Sequence, residues 1–460
     1  MKQDIDFNRK QKVHFIGIGG ISMSAIAQVL LSRGFDVTGS DAKASDMTEQ
    51  LKNLGAEIFI GQSADNISSD VDMVVYTAAI SKDNPELKKA QALGIPCMTR
   101  AEFLGQMMKN YSTAVCVSGT HGKTTTTSML SEIMMDAGVD PTIMVGGIMP
   151  SINGNTRIGA SGHFITEACE YTNSFLSFFP TVAVILNIKE DHMDFFKDLD
   201  DIRHSFREFA HLLPDDGVLV MNGEIEEPDY ITEGLGCRII TFGLREDCDV
   251  IARNITCNAA ACPEFDLYMD GTFMGRVQLR VPGEHNVYNA LASLASAQAM
   301  GLDISKAMKC VERFGGVDRR FQYKGQTGGI TVIDDYAHHP DEIEATLKAA
   351  LNIPHKKLWV VFQPHTYSRT EAFMDDFIKQ LSKADAVILA EIYPAREQNI
   401  HGISSRDMVE KIRQNGTECY YFPTFDEIEN FLLENCESGD VFITMGAGDV
   451  VLIGDYILGK

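Results

Sequence analysis

Apolar and polar positions along the 460-residue chain fall into three successive stretches, each alternating short apolar runs with helix-length periods. The first opens on the apolar run Val13–Ile18. The glycine turn Gly17-Ile18-Gly19-Gly20 follows, then an apolar helix over Ile21–Ser32, a strand over Asp36–Ser40 and another over Met73–Thr77. The second restarts at Thr113–Ser118 with a loop and a helix from Thr124. Strands follow at Phe164–Glu167, Val182–Asn187 and Gly217–Asn222, and an alanine-rich helix begins near Asn286. The third has strands at Thr331–Asp334, Leu358–Gln363, Ala386–Ala390 and Val441–Met445. Buried apolar runs separated by helical segments predict parallel sheets with crossover helices. The expectation is an α/β chain of three consecutive α/β domains, over residues 1–110, 111–325 and 326–460. Gly325–Gly329, short and glycine-rich, reads as the hinge into the last.

Composition narrows the class. Hydrophobic residues make up 45% and charged residues 23%, the profile of an ordinary globular chain. No apolar run approaches the roughly 20 residues that span a bilayer, and the start, Met1–Lys12, is polar without an apolar signal region. A cytoplasmic location with no membrane partner is expected. The ten cysteines are scattered and read as small buried hydrophobes. Cys257 and Cys262 are close in sequence but lack a second ligand pair for zinc. A net charge of −24 excludes a nucleic-acid partner, which needs a basic face. It does not exclude a nucleotide enzyme, whose phosphate sites use backbone N–H groups and a few cations.

The strongest chemical signal is Gly119-Thr120-His121-Gly122-Lys123-Thr124, with Thr125 next, between a buried strand and a helix. Such a loop aims backbone N–H groups and the helix dipole at an anion. Lys123 can reach terminal phosphates and the Thr124 hydroxyl can ligate Mg²⁺. Val117 stands where the general phosphate-loop pattern has glycine, so the loop is a shortened variant. The earlier turn, Gly17, Gly19 and Gly20, resembles the dinucleotide fingerprint with Ser22 in place of its last glycine. Asp41 follows about twenty residues on, where an acidic residue meets a ribose. An NAD-dependent dehydrogenase competes here but leaves the second phosphate loop unexplained. Glu167 ends a strand and His192 follows another, both at the C-terminal end at which open α/β sheets bind ligands. With Thr124 they form a candidate metal set beside the phosphates.

Together these stretches resemble one family over essentially the whole chain, the Mur ligases of cell-wall precursor synthesis. The resemblance implies a Rossmann-like UDP-sugar domain, a central P-loop ATPase-like domain, and a Rossmann-like C-terminal domain that binds the amino acid and closes on ATP. It assigns Gly119, Thr120, His121, Gly122, Lys123, Thr124 and Thr125 to ATP, and Thr124, Glu167 and His192 to Mg²⁺. Asn286, within Gly283–Ala290, matches the adenine contact, and Arg320 the arginine that meets the ATP phosphates. Asp334–Pro340, which holds Asp335, and Phe362–Thr370, which holds Arg369, look like the alanine-adding branch. The first glycine turn then becomes a UDP site. The implied activity is ATP-dependent joining of L-alanine to UDP-N-acetylmuramate through an acyl phosphate. A ligase that adds a recycled murein peptide to the same sugar nucleotide is the alternative within the family, and a non-catalytic nucleotide sensor the alternative outside it. Many members have aspartate at Cys169 and some have arginine at Thr366. The oligomeric state has no signature in the sequence.

Overall fold

The computed structural model describes residues 5–77, 79–395, 397–400 and 402–460, so the first four residues of the polar start lie outside the described residues. Strands β1 (Lys12–Ile16), β2 (Asp36–Asp41), β3 (Glu57–Ile60), β4 (Met73–Tyr76) and β5 (Cys97–Thr99) form one sheet in the order β3-β2-β1-β4-β5. Every pairing in it is parallel. Central β1 is buried from Val13 to Ile16 because helices cover both faces. The helix Ile21–Ser32 buries Met23, Ile26, Val29 and Leu30 against this sheet's core.

A second sheet contains β6 (Thr113–Ser118), β7 (Thr142–Met149), β8 (Gly154–Arg157), β9 (His163–Glu167), β10 (Val182–Ile185), β11 (Val218–Asn222) and β12 (Arg238–Gly243). Their order is β12-β11-β10-β6-β9-β7-β8, and only β7–β8 is antiparallel. The phosphate-loop strand β6 therefore lies between β9 and β10, whose ends carry Glu167 and the segment leading to His192. The helix Arg100–Met108 approaches the segment Tyr171–Ser177 closely. A Cβ on Gly105 would lie 1.9 Å from the Ser177 carbonyl oxygen, so only glycine fits.

The chain divides into two compact units, the first running to Ile251 and including Leu291–Ala307, the second comprising Ala252–Ala290 and Met308–Lys460. Strand β13 (Val250–Cys257) leads into the second, where β14 (Pro263–Met269) and β15 (Thr272–Gln278) form an antiparallel hairpin. The third sheet has β16 (Gln322–Thr327), β17 (Ile330–Asp335), β18 (Leu358–Phe362), β19 (Ala386–Leu389), β20 (Glu418–Tyr421) and β21 (Val441–Met445), in the order β16-β17-β21-β18-β19-β20. Side-chain alternation sends Ile333, Val360, Phe362 and Ile443 into one apolar cluster and Val332, Trp359, Val361 and Phe442 into the other. Both faces are filled, as a sheet with helices on each side requires.

The glycine stretch expected to be a hinge is a hairpin turn instead. Thr327 pairs with Ile330 across Gly328 and Gly329, which have φ of 57° and 82°. Two successive positive φ values make the tight reversal whose twist suits a hairpin, and glycine allows it. Gly325 lies within β16. Among the described residues, no helix is long and apolar enough to cross a membrane. The cysteines are free, and Cys116, Cys248, Cys262, Cys310 and Cys419 are buried as expected of small hydrophobes, whereas Cys257 is exposed.

Candidate active site

In the first unit the chemistry gathers at the C-terminal ends of β9, β6 and β10. Gly119 has φ of 140° and Gly122 has φ of 85°, so both glycines of the phosphate loop take conformations that L side chains rarely adopt. The segment after β10 holds the loop in place. Asn187 accepts from the His121 backbone N–H at 2.9 Å and donates to the His121 carbonyl at 3.0 Å. Thr120 Oγ1 accepts from the Lys189 backbone N–H at 2.9 Å. The helix Lys123–Asp136 then starts from Gly122 without a side-chain cap or an acidic residue in its first turn, where Thr124 and Thr125 lie. Its dipole and N–H groups stay directed at the loop.

Lys123 folds back over this loop. Its Nζ donates to the Gly119 and Thr120 carbonyls at 2.5 and 3.1 Å and to the Glu170 carboxylate at 3.0 and 3.2 Å. Burial works to lower the Lys123 pKa, but Glu170 outweighs it, with Cys169 and Glu167 adding, so the ammonium is held above the usual lysine range. His192 Nε2 lies 4.0 Å from Glu170 and 3.8 Å from Asp191. The Tyr171 ring stacks on the imidazole at 4.5 Å, and Tyr171 donates to Asp194 at 2.7 Å. Glu167 accepts from the Gly146 backbone N–H at 2.5 Å. Glu170 and His192 thus lie together beside the lysine, with Thr124 in the first turn of the adjoining helix, and carboxylate oxygens of this kind suit a hard divalent cation carrying phosphate. Glu170 and Asp191 are the residues that sequence reasoning passed over. Glu170 closes the run Thr166-Glu167-Ala168-Cys169-Glu170, but spacing does not say which of its two glutamates faces Lys123.

The first glycine turn follows β1. Gly17 has φ of 85° and its N–H donates to the Ser40 carbonyl at 2.8 Å. Gly19 donates to Asp41 Oδ2 at 2.9 Å, and a Cβ there would meet that same oxygen at 2.9 Å. Asp41, expected to face a ribose, is seen bracing the turn. Gly20 is the N-cap of the following helix. Ser22, the departure from the fingerprint, accepts from Arg100 Nη1 at 2.9 Å.

The second unit holds the remaining candidates. Asn286 donates to the Pro282 carbonyl at 2.7 Å and accepts from Asn289 at 2.9 Å. Arg319, not singled out from the sequence, pairs with Asp334 at 3.2 Å and donates to the Gly446 and Gly448 carbonyls at 2.7 and 3.0 Å. It is a brace for the sheet ends. Arg320 is held more loosely, 3.6 Å from Glu342 and 5.3 Å over the Tyr336 ring. Asp335 accepts from the backbone N–H groups of Phe321 at 3.0 Å and Ala337 at 2.8 Å, and from Thr346 at 3.0 Å. Burial pushes its carboxyl up to about 6 against the pull of Arg320. His338 lies 3.2 Å from Glu342. Arg369 sits in the short helix Tyr367–Ala372, which Thr366 caps by accepting from the Arg369 backbone N–H at 3.4 Å.

Three blocks built on mainly parallel sheets, with a lysine-bearing phosphate loop and an acidic cluster at the strand ends, define a nucleotide-dependent ligase architecture. The chain matches the Mur ligase family, catalytic domain over residues 12–112, the Mur ligase middle domain over 117–297 and the Mur ligase, glutamate ligase domain over 319–448. It belongs to the Mur ligase family. Within the family it is 55% identical, over 99% of each chain, to the UDP-N-acetylmuramate–L-alanine ligase of Agathobacter rectalis. It is 52% identical, again over 99% of each, to the protein of that name from Lachnospira eligens. The crystal structure of UDP-N-acetylmuramate-alanine ligase from Thermotoga maritima superposes with a TM-score of 0.81 at 32% identity, covering 98% of both chains. A murein peptide ligase from Psychrobacter arcticus shares the fold, with a TM-score of 0.71 at 24% identity and 98% of both chains covered.

Proposed function

We propose that this chain joins L-alanine to the lactyl carboxylate of UDP-N-acetylmuramate with ATP, in the cytoplasm, as a step of peptidoglycan precursor synthesis. The observation that carries the reading is Lys123, charged and held with Glu170 and His192 over a shortened phosphate loop, in a chain with full-length relatives of that name. We assign the UDP-sugar to residues 1–110, ATP to 111–325 and the amino acid to 326–460.

A carboxylate is a poor acyl donor until an oxygen is made a leaving group. The lactyl carboxylate attacks the γ-phosphorus of ATP, the bond to the β,γ-bridging oxygen breaks, and ADP leaves. Lys123 neutralises charge on the transferring group, and Arg320 is assigned as a second cation toward the phosphates. Mg²⁺ held by Thr124, Glu167 and His192, with Glu170 near His192, would supply further neutralisation of the phosphate oxygens. The alanine amine, once deprotonated, attacks the acyl phosphate carbonyl. The tetrahedral oxyanion collapses, the C–O bond to phosphate breaks, and the amide and inorganic phosphate are released. Arg369 is assigned to the alanine carboxylate, for which a guanidinium offers a planar bidentate fork. Asn286 and Asp335 are assigned to the nucleotide side, and Gly17, Gly19, Gly20 and Asp41 to UDP.

Phosphate release from ATP with UDP-N-acetylmuramate tests the reading, with L-alanine, murein tripeptide or NAD varied. Release that requires L-alanine supports it. Release driven by tripeptide and not by alanine makes the chain a peptide-recycling ligase, and turnover of NAD without ATP makes it a dehydrogenase.

A further inference from the structure

Glu342 lies in the first turn of the helix Pro340–Ala350, and its carboxylate reaches back past the start of that helix. Oε2 accepts from the His338 backbone N–H at 3.1 Å and faces His338 Nδ1 at 3.2 Å. Oε1 lies 3.6 Å from Arg320 Nη1. One carboxylate thus divides between a guanidinium and an imidazole. The Tyr336 carbonyl also faces Nδ1, at 3.0 Å. A carbonyl only accepts, and so does an ionised carboxylate, so the neutral ring carries its proton on Nδ1 and takes a second on Nε2. The other groups around this trio are Asp335, the Tyr336 ring 5.4 Å from the imidazole and the His365 ring 5.9 Å from it. Burial dominates at Asp335, but Arg320 pulls its carboxyl down and Glu342 pushes it up, so it feels both charges.

The two arginines beside Tyr336 differ. Arg319 is tied to Asp334 and to the Gly446 and Gly448 carbonyls at 3.2 Å or less. Arg320 is 30% exposed and meets Glu342 at the longer distance, so it is the one able to exchange partners. Glu342 is 14% exposed, so water makes good little of the charge that Arg320 would withdraw. A helix cap alone accounts for Oε2 but not for Oε1.

We infer that Glu342 is a positioning residue that passes nucleotide binding from Arg320 to His338: when the ATP phosphates draw Arg320, the carboxylate left behind favours the protonated imidazole. This rests on Arg320 meeting the ATP phosphates, as proposed above. The proton comes from solvent and binds at Nε2. Linkage is reciprocal, so protonation of His338 strengthens nucleotide binding by the same factor.

The test follows His338 by proton–carbon NMR of the full chain with labelled histidine, its signal assigned by its absence from His338→Gln. Wild type, Glu342→Gln and Arg320→Met are titrated with and without a non-hydrolysable ATP analogue and Mg²⁺, and thermal melting reports the fold. Couplings between linked sites start at about fivefold, or about 0.7 pH unit. The analogue should raise the wild-type His338 pKa by about that much or more. Glu342→Gln keeps an acceptor for the His338 N–H, so it should melt near wild type. Its His338 should titrate about 1 pH unit lower and move by less than about 0.2 with the analogue. Arg320→Met should raise His338 without any nucleotide, toward the liganded wild-type value. An equal rise in wild type and Glu342→Gln makes the effect the direct field of the phosphates and overturns the relay. So does an Arg320→Met chain whose His338 titrates as in the wild type without nucleotide. Analogue affinity within about twofold of wild type in Arg320→Met takes Arg320 off the phosphates, and defeats both that reading and the proposal built on it.

Discussion

Replacing Lys123 with methionine separates catalysis from stability at the phosphate loop. Lys123→Met keeps the stem but removes an ammonium that contacts the Gly119 and Thr120 carbonyls and Glu170. Removing one donor that stabilises transition-state charge costs about 10²–10³ in kcat, or roughly 2.7–4 kcal/mol. Stability also falls. The side chains are 16% and 3% exposed for Lys123 and Glu170, so the variant leaves a nearly buried carboxylate uncompensated. Breaking such a pair costs up to about 3–5 kcal/mol, whereas removing both charges is much cheaper. Lys123→Met with Glu170→Gln should therefore recover most of the lost thermal stability while remaining catalytically poor. Phosphate release with all three substrates, beside thermal melting of both variants, decides the matter. Near wild-type release by a folded Lys123→Met protein would refute the assignment of the loop to ATP. Recovery of activity together with stability in the double variant would show that the loss was structural.

Arg369→Ala should raise the KM for L-alanine about 10- to 150-fold with little change for ATP, by the strength of a hydrogen bond to a charged group; an unchanged alanine KM removes Arg369 from the site. Gly119→Ala should lower both melting temperature and ATP turnover, because the added Cβ meets Leu186 Cβ at 2.9 Å and φ is 140°; an unperturbed variant would show that the loop relaxes freely. Asp335 has a folded pKa raised from 3.8 to about 6, so the folded state binds its proton more tightly than the unfolded chain does. Its contribution is favourable below about pH 4 and is lost as pH rises through about 6, amounting to at most about 3 kcal/mol. Melting curves of Asp335→Asn between pH 4 and 7 should lack that share of the wild-type fall, and identical pH profiles would contradict it.

Much of this architecture was legible in the residue order. The run Thr113–Ser118 followed by Gly119–Thr124 specifies a buried strand, an anion-binding loop and a helix, because backbone geometry and the lysine lie within a few residues of one another. The parallel sheets follow from apolar runs spaced by helix-length segments. The short edge strands β3, β5, β8 and β20 were not legible, being partly polar and stabilised by pairing with neighbours distant in sequence. Gly325–Gly329 shows the same limit, since glycines serve a hinge and a hairpin turn alike and only the partner strand β17 decides between them. The site divides in the same way. Residue type marked Lys123, Glu167 and His192 as candidates, but the order β10-β6-β9 brings Glu170 to Lys123 and Asn187 to His121. The pairing of Arg100 with Ser22 across 78 residues likewise arises from the fold. Local chemistry is written in spacing, whereas the choice of partner for a buried charge depends on desolvation and distance, which exist only once the sheets have assembled.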